Sequence, residues 1–355
     1  MSSVWNNRIS ISVFGEANGF AIGVTIDNLP AGEYIDSERI ISFMRRRLPL
    51  SANLSDSAQK IKAPLPRMVS GIRNDRTTGA PLCALIQNSS CPEKENNNVS
   101  KSALAGHADY TGAVRYRGYS DVRHFDNFSE LFTAPLCFAG AVCAQILERR
   151  GIYVGAHISA IHNIKDNPFD PVNIKRDGIL SIRQKDFPVI NDRKGWIMLD
   201  DMKKANEYGE ILGGIVECAA VNIPAGVGSP MFDGLDNSIA QLVFGIPAVR
   251  GVEFGAGFVA AQMTGSQAED NFISDEYGHE VTKTNRHGGI LGGISSGMPV
   301  TINVAFKPQS YRYCTPSQDN AAYYCPCVVP TAVPCVEAAV NIAVLSHMID
   351  YPNFC

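Results

Sequence analysis

Four stretches of this chain concentrate groups suited to binding anions or moving protons. The longest is Thr282-Lys-Thr-Asn-Arg-His-Gly-Gly-Ile-Leu-Gly-Gly-Ile-Ser-Ser-Gly-Met-Pro299, with five glycines and four hydroxyl residues. Backbone wrapped around a flat or phosphorylated ligand has this composition, because glycine permits positive φ and close approach. A glycine-punctuated strand-and-turn region with no ligand has it too. Arg45-Arg46-Arg47 gathers guanidinium forks that match phosphate or carboxylate bidentately. Its plainer use is a solvated helix end favoured by the helix dipole. Gly106-His-Ala-Asp-Tyr-Thr111 sets an imidazole two residues from a carboxylate, and His107 there suits proton donation to a leaving group near neutral pH. Lys307-Pro308 follows a β-like run, where a point charge can sit beside a phosphate.

The elements that must position these groups are legible in outline. Asp36 or Ser37 caps a helix through Arg47, before Pro49. A helix apolar nearly all round runs from about Ser129 to Arg150 and stops at Gly151, the pattern of burial on most sides. Asp233 or Asp236 to Phe244 reads as an amphipathic helix, and Ala332 to Met348 as a last one with Pro334 in its first turn. Strand-like runs are Ile9–Phe14, Ile22–Ile26, Val69–Ile72, Leu82–Gln87, Ile152–Ile161, Ile211–Val221, Gly255–Gln262 and Val300–Phe306. They come as hairpin-like neighbours without strict βαβ alternation, which predicts an α+β fold with antiparallel sheets. Residues 92–98 and 163–175 read as exposed loops, neither a linker, so residues 1–355 form one domain.

Composition narrows the function classes. The 355 residues are 45% hydrophobic and 19% charged, a globular balance with ample core material. Thirty-one basic against thirty-five acidic residues leave −4, so nothing global favours nucleic acid. The N-terminal residues lack the order of a secretory signal, and Leu131 to Leu147 is short for a membrane span and carries Pro135 and Gln145. Ten cysteines without CxxC spacing predict reduced thiols and a cytoplasmic protein. Cys314, Cys325, Cys327 and Cys335 match no zinc spacing, so no metal is expected.

Taken together these motifs resemble the chorismate synthase family, in its bacterial form. Phe14–Gly19 is similar to the family's FGESHG, Pro30-Ala-Gly32 to its PAG turn and Met44–Pro49 to its MxRRxP segment. Ser70-Gly-Ile with Thr77–Pro81, Gly106–Tyr110 (GHADY), Thr133–Ala141, Ile223–Asp233, Gly251–Phe258, Thr282–Pro299, Ala305–Pro308 and Pro326–Pro334 follow in the family's order. The resemblance runs from about Ile9 to Ile349. It implies a cytosolic homotetramer with a β-α-β sandwich, helices held between antiparallel sheets. It further implies elimination of phosphate and a ring proton from 5-enolpyruvylshikimate 3-phosphate to give chorismate, dependent on reduced flavin mononucleotide (FMN), with no net redox change. By the same resemblance His107 serves the leaving phosphate, and Arg46, Arg47 and Arg123 hold the substrate. Asn285, Gly288, Gly289, Ser295, Lys307 and Ser310 would hold the flavin.

Departures fall on the chemical positions. The histidine of FGESHG is Asn18 here, which cannot deliver a proton at neutral pH, and the preceding serine is Ala17. The stretch after Arg123 reads His124-Phe-Asp-Asn-Phe-Ser-Glu-Leu131: the family's arginine is Leu131, its histidine Asn127, and Asp126 and Glu130 add negative charge beside an anion site. The family's RHDPC…PRA is Tyr323-Tyr-Cys-Pro-Cys327 with Thr331, so Cys325 stands for the aspartate. KPTPS has become Lys307-Pro-Gln-Ser-Tyr311, and Gln267 and Glu269 replace an acidic residue and an asparagine. Each lost charged partner of an anion costs about 1.5–3 kcal/mol, and a lost general acid about two to four decades of rate. Chorismate synthase activity is nonetheless expected from the whole-chain match. The alternatives are a catalytically impaired paralogue kept as a flavin-binding or subunit-partner protein, and a flavoprotein acting on a less anionic ligand beside Tyr311, Tyr323 and Tyr324.

Overall fold

In the computed structural model, residues 3–16, 19–48, 65–88, 108–119, 130–274, 278, 280–309 and 327–352 are described. Two five-stranded antiparallel sheets enclose a layer of helices. The first contains β1 (Val4–Asn6), β2 (Ser10–Gly15), β3 (Ala21–Asp27), β4 (Pro66–Ser70) and β5 (Leu82–Gln87), in the order β1-β2-β3-β5-β4. The second contains β6 (Tyr153–Ile161), β7 (Ile164–Lys165), β8 (Gly214–Val221), β9 (Val249–Phe254) and β10 (Val300–Phe306), in the order β9-β10-β8-β6-β7. Cys218 in the middle of β8 faces Ala156 on one side and Ile302 on the other, which fixes the register. The helices of seven or more residues are α1 (Ser37–Arg45), α2 (Asp109–Arg115), α3 (Thr133–Glu148), α4 (Arg176–Arg183), α5 (Asp192–Glu207), α6 (Leu235–Phe244) and α7 (Val329–Met348).

Helices α3 and α7 form the filling. They pack on each other, α3 resting on β3 and α7 on β6 and β8. The expected α+β sandwich is therefore the fold. Contact between the two helices is close enough that a Cβ on Gly140 would lie 2.3 Å from the Cα of Ala338. α7, and α3 taken together with the turn before it (Glu130–Glu148), are long and apolar enough to cross a bilayer, yet α7 is wholly buried in the protein and α3 nearly so. What α7 needs is partners for its polar groups, since an unpaired buried one is costly. Glu337 takes an arginine (below), the Asn341 amide donates to the Glu337 carbonyl at 2.8 Å, and His347 Nε2 lies 2.8 Å from Ser238 Oγ. The Ile9 amide donates to Ser346 Oγ at 3.2 Å.

A second buried polar cluster ties the far sheet together. His157 on β6 sits with Nε2 2.7 Å from Glu217 Oε2 of β8 and Nδ1 3.3 Å from Asp166 Oδ2. Burial alone would lower the imidazole pKa, but the hydrogen bonds to Asp166 and Glu217 outweigh it and raise it.

Several expectations needed correction. Helix α1 is capped by Asp36, whose Oδ1 accepts from the Glu38 amide at 2.9 Å, but it ends at Arg45. Glu130–Phe132 forms a 3₁₀ turn before α3 proper, which ends at Glu148; Arg149 and Arg150 then pair with Glu33 at 2.6 and 2.5 Å. Helix α7 begins at Val329, so Pro330 occupies its first turn and Pro334 lies inside it. Residues 255–262 are not a strand: the strand ends at Phe254, Gly255 and Gly257 adopt φ of +53° and +51°, and a 3₁₀ turn follows. Helices α4 and α5 were not foreseen; α5 buries little beyond Gly195, Met198 and Met202, too thin a stripe beside exposed Trp196 and Ile197. The loop reading of 163–175 holds after the short β7, whereas 92–98 lies outside the described residues.

Candidate active site

The C-terminal end of α1 meets the N-terminal ends of α3 and α7, and the consecutive arginines diverge there. Arg46 forms a bidentate pair with Glu337, Nη1 to Oε2 at 2.6 Å and Nη2 to Oε1 at 2.9 Å, and the Ala156 amide donates to Oε1 at 3.0 Å. Glu337 is completely buried. Burial would raise its pKa, but Arg46, Arg183 and the Ala156 amide outweigh that and hold it below the usual carboxylate range. Arg46, expected as a substrate ligand, is thus committed to a buried ion pair, and its fork is filled by protein.

Arg47 turns the other way. Its Nη1 donates to the Glu130 carbonyl at 3.4 Å and to Thr133 Oγ1 at 3.3 Å. Thr133 in turn donates to the Glu130 carbonyl at 2.6 Å. These residues line a narrow crevice of about 10 Å³ with Thr331, Cys335 and Pro247. That is room for about one water molecule. Among the described residues, Glu130 Oε1 is fully buried and has no hydrogen-bond partner. Burial pushes the Glu130 carboxyl up to about 7, against the opposing charge of Arg47. Glu130 is a site residue that sequence reasoning counted only as unwelcome charge. A larger cavity, about 400 Å³, opens between Arg45, Arg46, Arg183, Lys185, Pro330 and Pro334. Its inner cations are committed: Arg46 to Glu337, Arg183 to Glu148 at 2.6 Å and Lys185 to Asp192 at 2.6 Å.

The glycine motif is mostly spent on the fold. The Asn285 amide donates to the Pro171 and Pro299 carbonyls at 2.9 and 2.8 Å and its oxygen accepts from the Gly289 amide at 2.8 Å. Ser295 donates to the Pro224 carbonyl at 2.6 Å and accepts from the Val227 amide at 2.9 Å. A Cβ on Gly288 would meet the Gly255 nitrogen at 2.4 Å, and one on Gly289 the Pro299 oxygen at 2.4 Å. Asn285, Gly288, Gly289 and Ser295, expected as flavin ligands, therefore also build the turn with these contacts. Gly292 differs. At φ +60° it has no atom within 4 Å of where a Cβ would stand, so its bare backbone faces open space. A flat ring fits against such a surface, and a side chain would intrude. Sequence reasoning named Gly292 in the motif but not as a contact.

Lys307 follows β10, its amide donating to the Ala248 carbonyl at 2.9 Å. Asn18, His107, Arg123, Ser310 and Cys325 lie outside the described residues. So do Cys314 and the tyrosines 311, 323 and 324. Cys327 and Cys335 are buried, Cys335 Sγ lying 3.7 Å from Cys137 Sγ. Among the described residues no group of metal-ligating side chains assembles.

Comparison with known proteins agrees with this architecture over nearly the whole length. The chorismate synthase family profile matches residues 9–349. The chorismate synthase of Thermococcus kodakarensis is 33% identical over 354 residues, covering 96% of each chain. That of Lancefieldella parvula is 32% identical over 375 residues, covering 99% of this chain and 98% of its own. One from Dehalococcoides mccartyi is 36% identical over 352 residues, covering 95% and 94%. A crystal structure of a chorismate synthase superposes with a TM-score of 0.78 at 25% identity, covering 98% of this chain and 94% of that one. Sandwich, ordered motifs and relatives coincide, and the chain belongs to the chorismate synthase family.

Proposed function

We propose that this chain is a chorismate synthase: it carries out the anti-1,4-elimination of phosphate from 5-enolpyruvylshikimate 3-phosphate, a carbon–oxygen lyase step of the shikimate pathway. The observation that carries the reading is the site at the α1–α3–α7 junction, where among the described residues Arg47 forms no ion pair with a carboxylate while Arg46 is locked to Glu337, within a fold matched end to end by named chorismate synthases. An impaired paralogue is not favoured by those relatives.

In the reaction the C–O bond to phosphate breaks with its electron pair leaving on phosphate. The ring C–H bond breaks, its electrons complete the new double bond, and the proton lost from the ring balances the one given to the departing phosphate, so nothing is oxidised or reduced. Arg47 holds anionic oxygen of the substrate, with Thr133 fixing the guanidinium. Arg123 is a second substrate cation, and the His107 imidazole carries the proton given to the departing phosphate. Reduced FMN is the cofactor of this reading, and when bound it supplies electron density to the allylic centre losing phosphate. Open backbone at Gly292 fits a planar ring, and Lys307 and Ser310 would take the flavin phosphate. Asn18, an amide where the family has a histidine, can hydrogen-bond but cannot deliver a proton. We place the enzyme in the cytoplasm as a homotetramer.

The test is an anaerobic assay of the purified protein with chemically reduced FMN and 5-enolpyruvylshikimate 3-phosphate, following chorismate. Turnover that rises in Asn18→His is the expected outcome. No chorismate from either protein at high enzyme concentration, with flavin binding intact, refutes the assignment.

A further inference from the structure

We infer that Glu130 is an anion-binding residue of this enzyme: as a neutral carboxylic acid it donates its O–H to an oxygen of the phosphorylated substrate held by Arg47, in place of the cations absent at Leu131 and Thr331. The inference deepens the proposed function and rests on its substrate class.

Geometry carries it. Glu130 sits in the 3₁₀ turn that leads into α3, and Arg47 reaches it through the backbone carbonyl, so the carboxyl is left over. Its Oε1 is buried with no partner at the crevice shared by Arg47, Thr133 and Thr331. A crevice of about 10 Å³ admits one small polar atom, such as an anion's oxygen. The remaining polar groups there are committed: Thr133 Oγ1 to the Glu130 carbonyl and Thr331 Oγ1 to the Val328 carbonyl at 2.9 Å. Among the described residues, the ionisable groups lining the crevice with the carboxyl are Arg47, just past the end of α1, and Cys335 of α7, with Cys137 of α3 behind Cys335 at 3.7 Å. An ionised Glu130 would repel a second anion, whereas a protonated one offers the donor that the substituted arginines would have supplied. Burial keeps the proton on up to about neutrality, with a titration near 7.

Binding of the anion is then linked to protonation, so affinity falls as Glu130 ionises. Titrate 5-enolpyruvylshikimate 3-phosphate calorimetrically into the full-length protein and into Glu130→Gln, at pH 6 and pH 8. The amide keeps a donor and cannot ionise, so the ligand's own titration cancels in the ratio of the two affinities. That ratio is expected to shift about tenfold against the parent from pH 6 to 8, with about one proton taken up per site at pH 8. Binding by both proteins with a constant ratio overturns the role of Glu130 and leaves the substrate assignment standing. If neither binds, the substrate assignment fails, and infrared spectroscopy judges the carboxyl separately. A protonated carboxyl band at pH 6 that disappears by pH 8.5 and is missing in Glu130→Gln upholds the acid; no such band at pH 6 overturns it.

Discussion

Arg46→Met keeps the apolar stem of the side chain and removes the guanidinium. Glu337 would remain completely buried, with the Ala156 amide and Arg183 Nε at 3.8 Å as its partners. Removing one member of a buried ion pair costs about 3–5 kcal/mol, because the other charge stays desolvated. Unfolding entropy of about 2.1 cal/mol/K per residue gives roughly 0.75 kcal/mol/K for a chain of this length. The melting temperature should therefore fall by about 4–7 °C. The pH dependence has a definite sign. In the parent, Glu337 titrates below its unfolded value, so its contribution is present above the ordinary carboxylate range and is lost as pH falls through the lower folded value. Without Arg46, burial dominates and the carboxyl takes up a proton more readily. The gap in melting temperature is then widest near neutrality and narrows in acid. Adding Glu337→Gln to Arg46→Met removes the stranded charge and should restore part of the loss, roughly 1–2 kcal/mol. The assay is thermal denaturation from pH 4.5 to 8 with steady-state kinetics alongside. A melting temperature within about 1 °C of the parent, with KM raised about tenfold, would show that Arg46 serves substrate and would refute the structural assignment.

Gly292→Ala should fold, at a cost of about 1–2 kcal/mol for its left-handed backbone, and lose flavin affinity; Gly289→Ala, which drives a methyl into the Pro299 carbonyl, should give little folded protein. Fluorescence titration with FMN and circular dichroism separate the two, and equal flavin affinity in Gly292→Ala counts against the open-backbone contact. His157 contributes stability fully below its unfolded pKa of about 6.5, and that contribution is lost as pH rises through the higher folded value. His157→Gln should thus differ most from the parent near pH 6 and least in alkali, and a urea-denaturation series with the opposite trend would disprove it. Gly140→Ala forces α3 off α7 at the closest point in the core and should cost about 1–3 kcal/mol or more by overpacking, read from urea midpoints.

The strands with alternating or continuous apolar residues, such as Leu82–Gln87 and Val300–Phe306, were legible to the residue, because burial against a helix layer imposes the pattern. The two filling helices were legible for the same reason. Residues 255–262 misled because Phe258 and Val259 suggest a strand while two left-handed glycines bend the chain and leave both side chains exposed. At the site, residue type was readable and assignment was not. Nothing local tells Arg46 from Arg47, since the partner that decides it, Glu337, is 291 positions away. Glu130 carried the same difficulty in reverse. Its charge was visible, but the burial that raises its pKa arises only when the end of α1, α3 and α7 meet. The glycine motif was recognised as special, yet which glycine meets a ligand depends on which has an empty side.

Helix α7 follows both sheets in chain order although it lies between them. A ribosome therefore delivers the two outer layers before the element that separates them. Until Val329–Met348 emerges, the surfaces of β6, β8 and α3 that it will cover have no native partner, a state open to premature collapse and aggregation. At synthesis rates of about 5–20 residues per second, the hundred or so residues between β8 and α7 impose a wait of roughly 5–20 seconds. Nascent copies of this enzyme should depend on chaperone holding during that interval, and folding should complete abruptly once the last helix is free to enter.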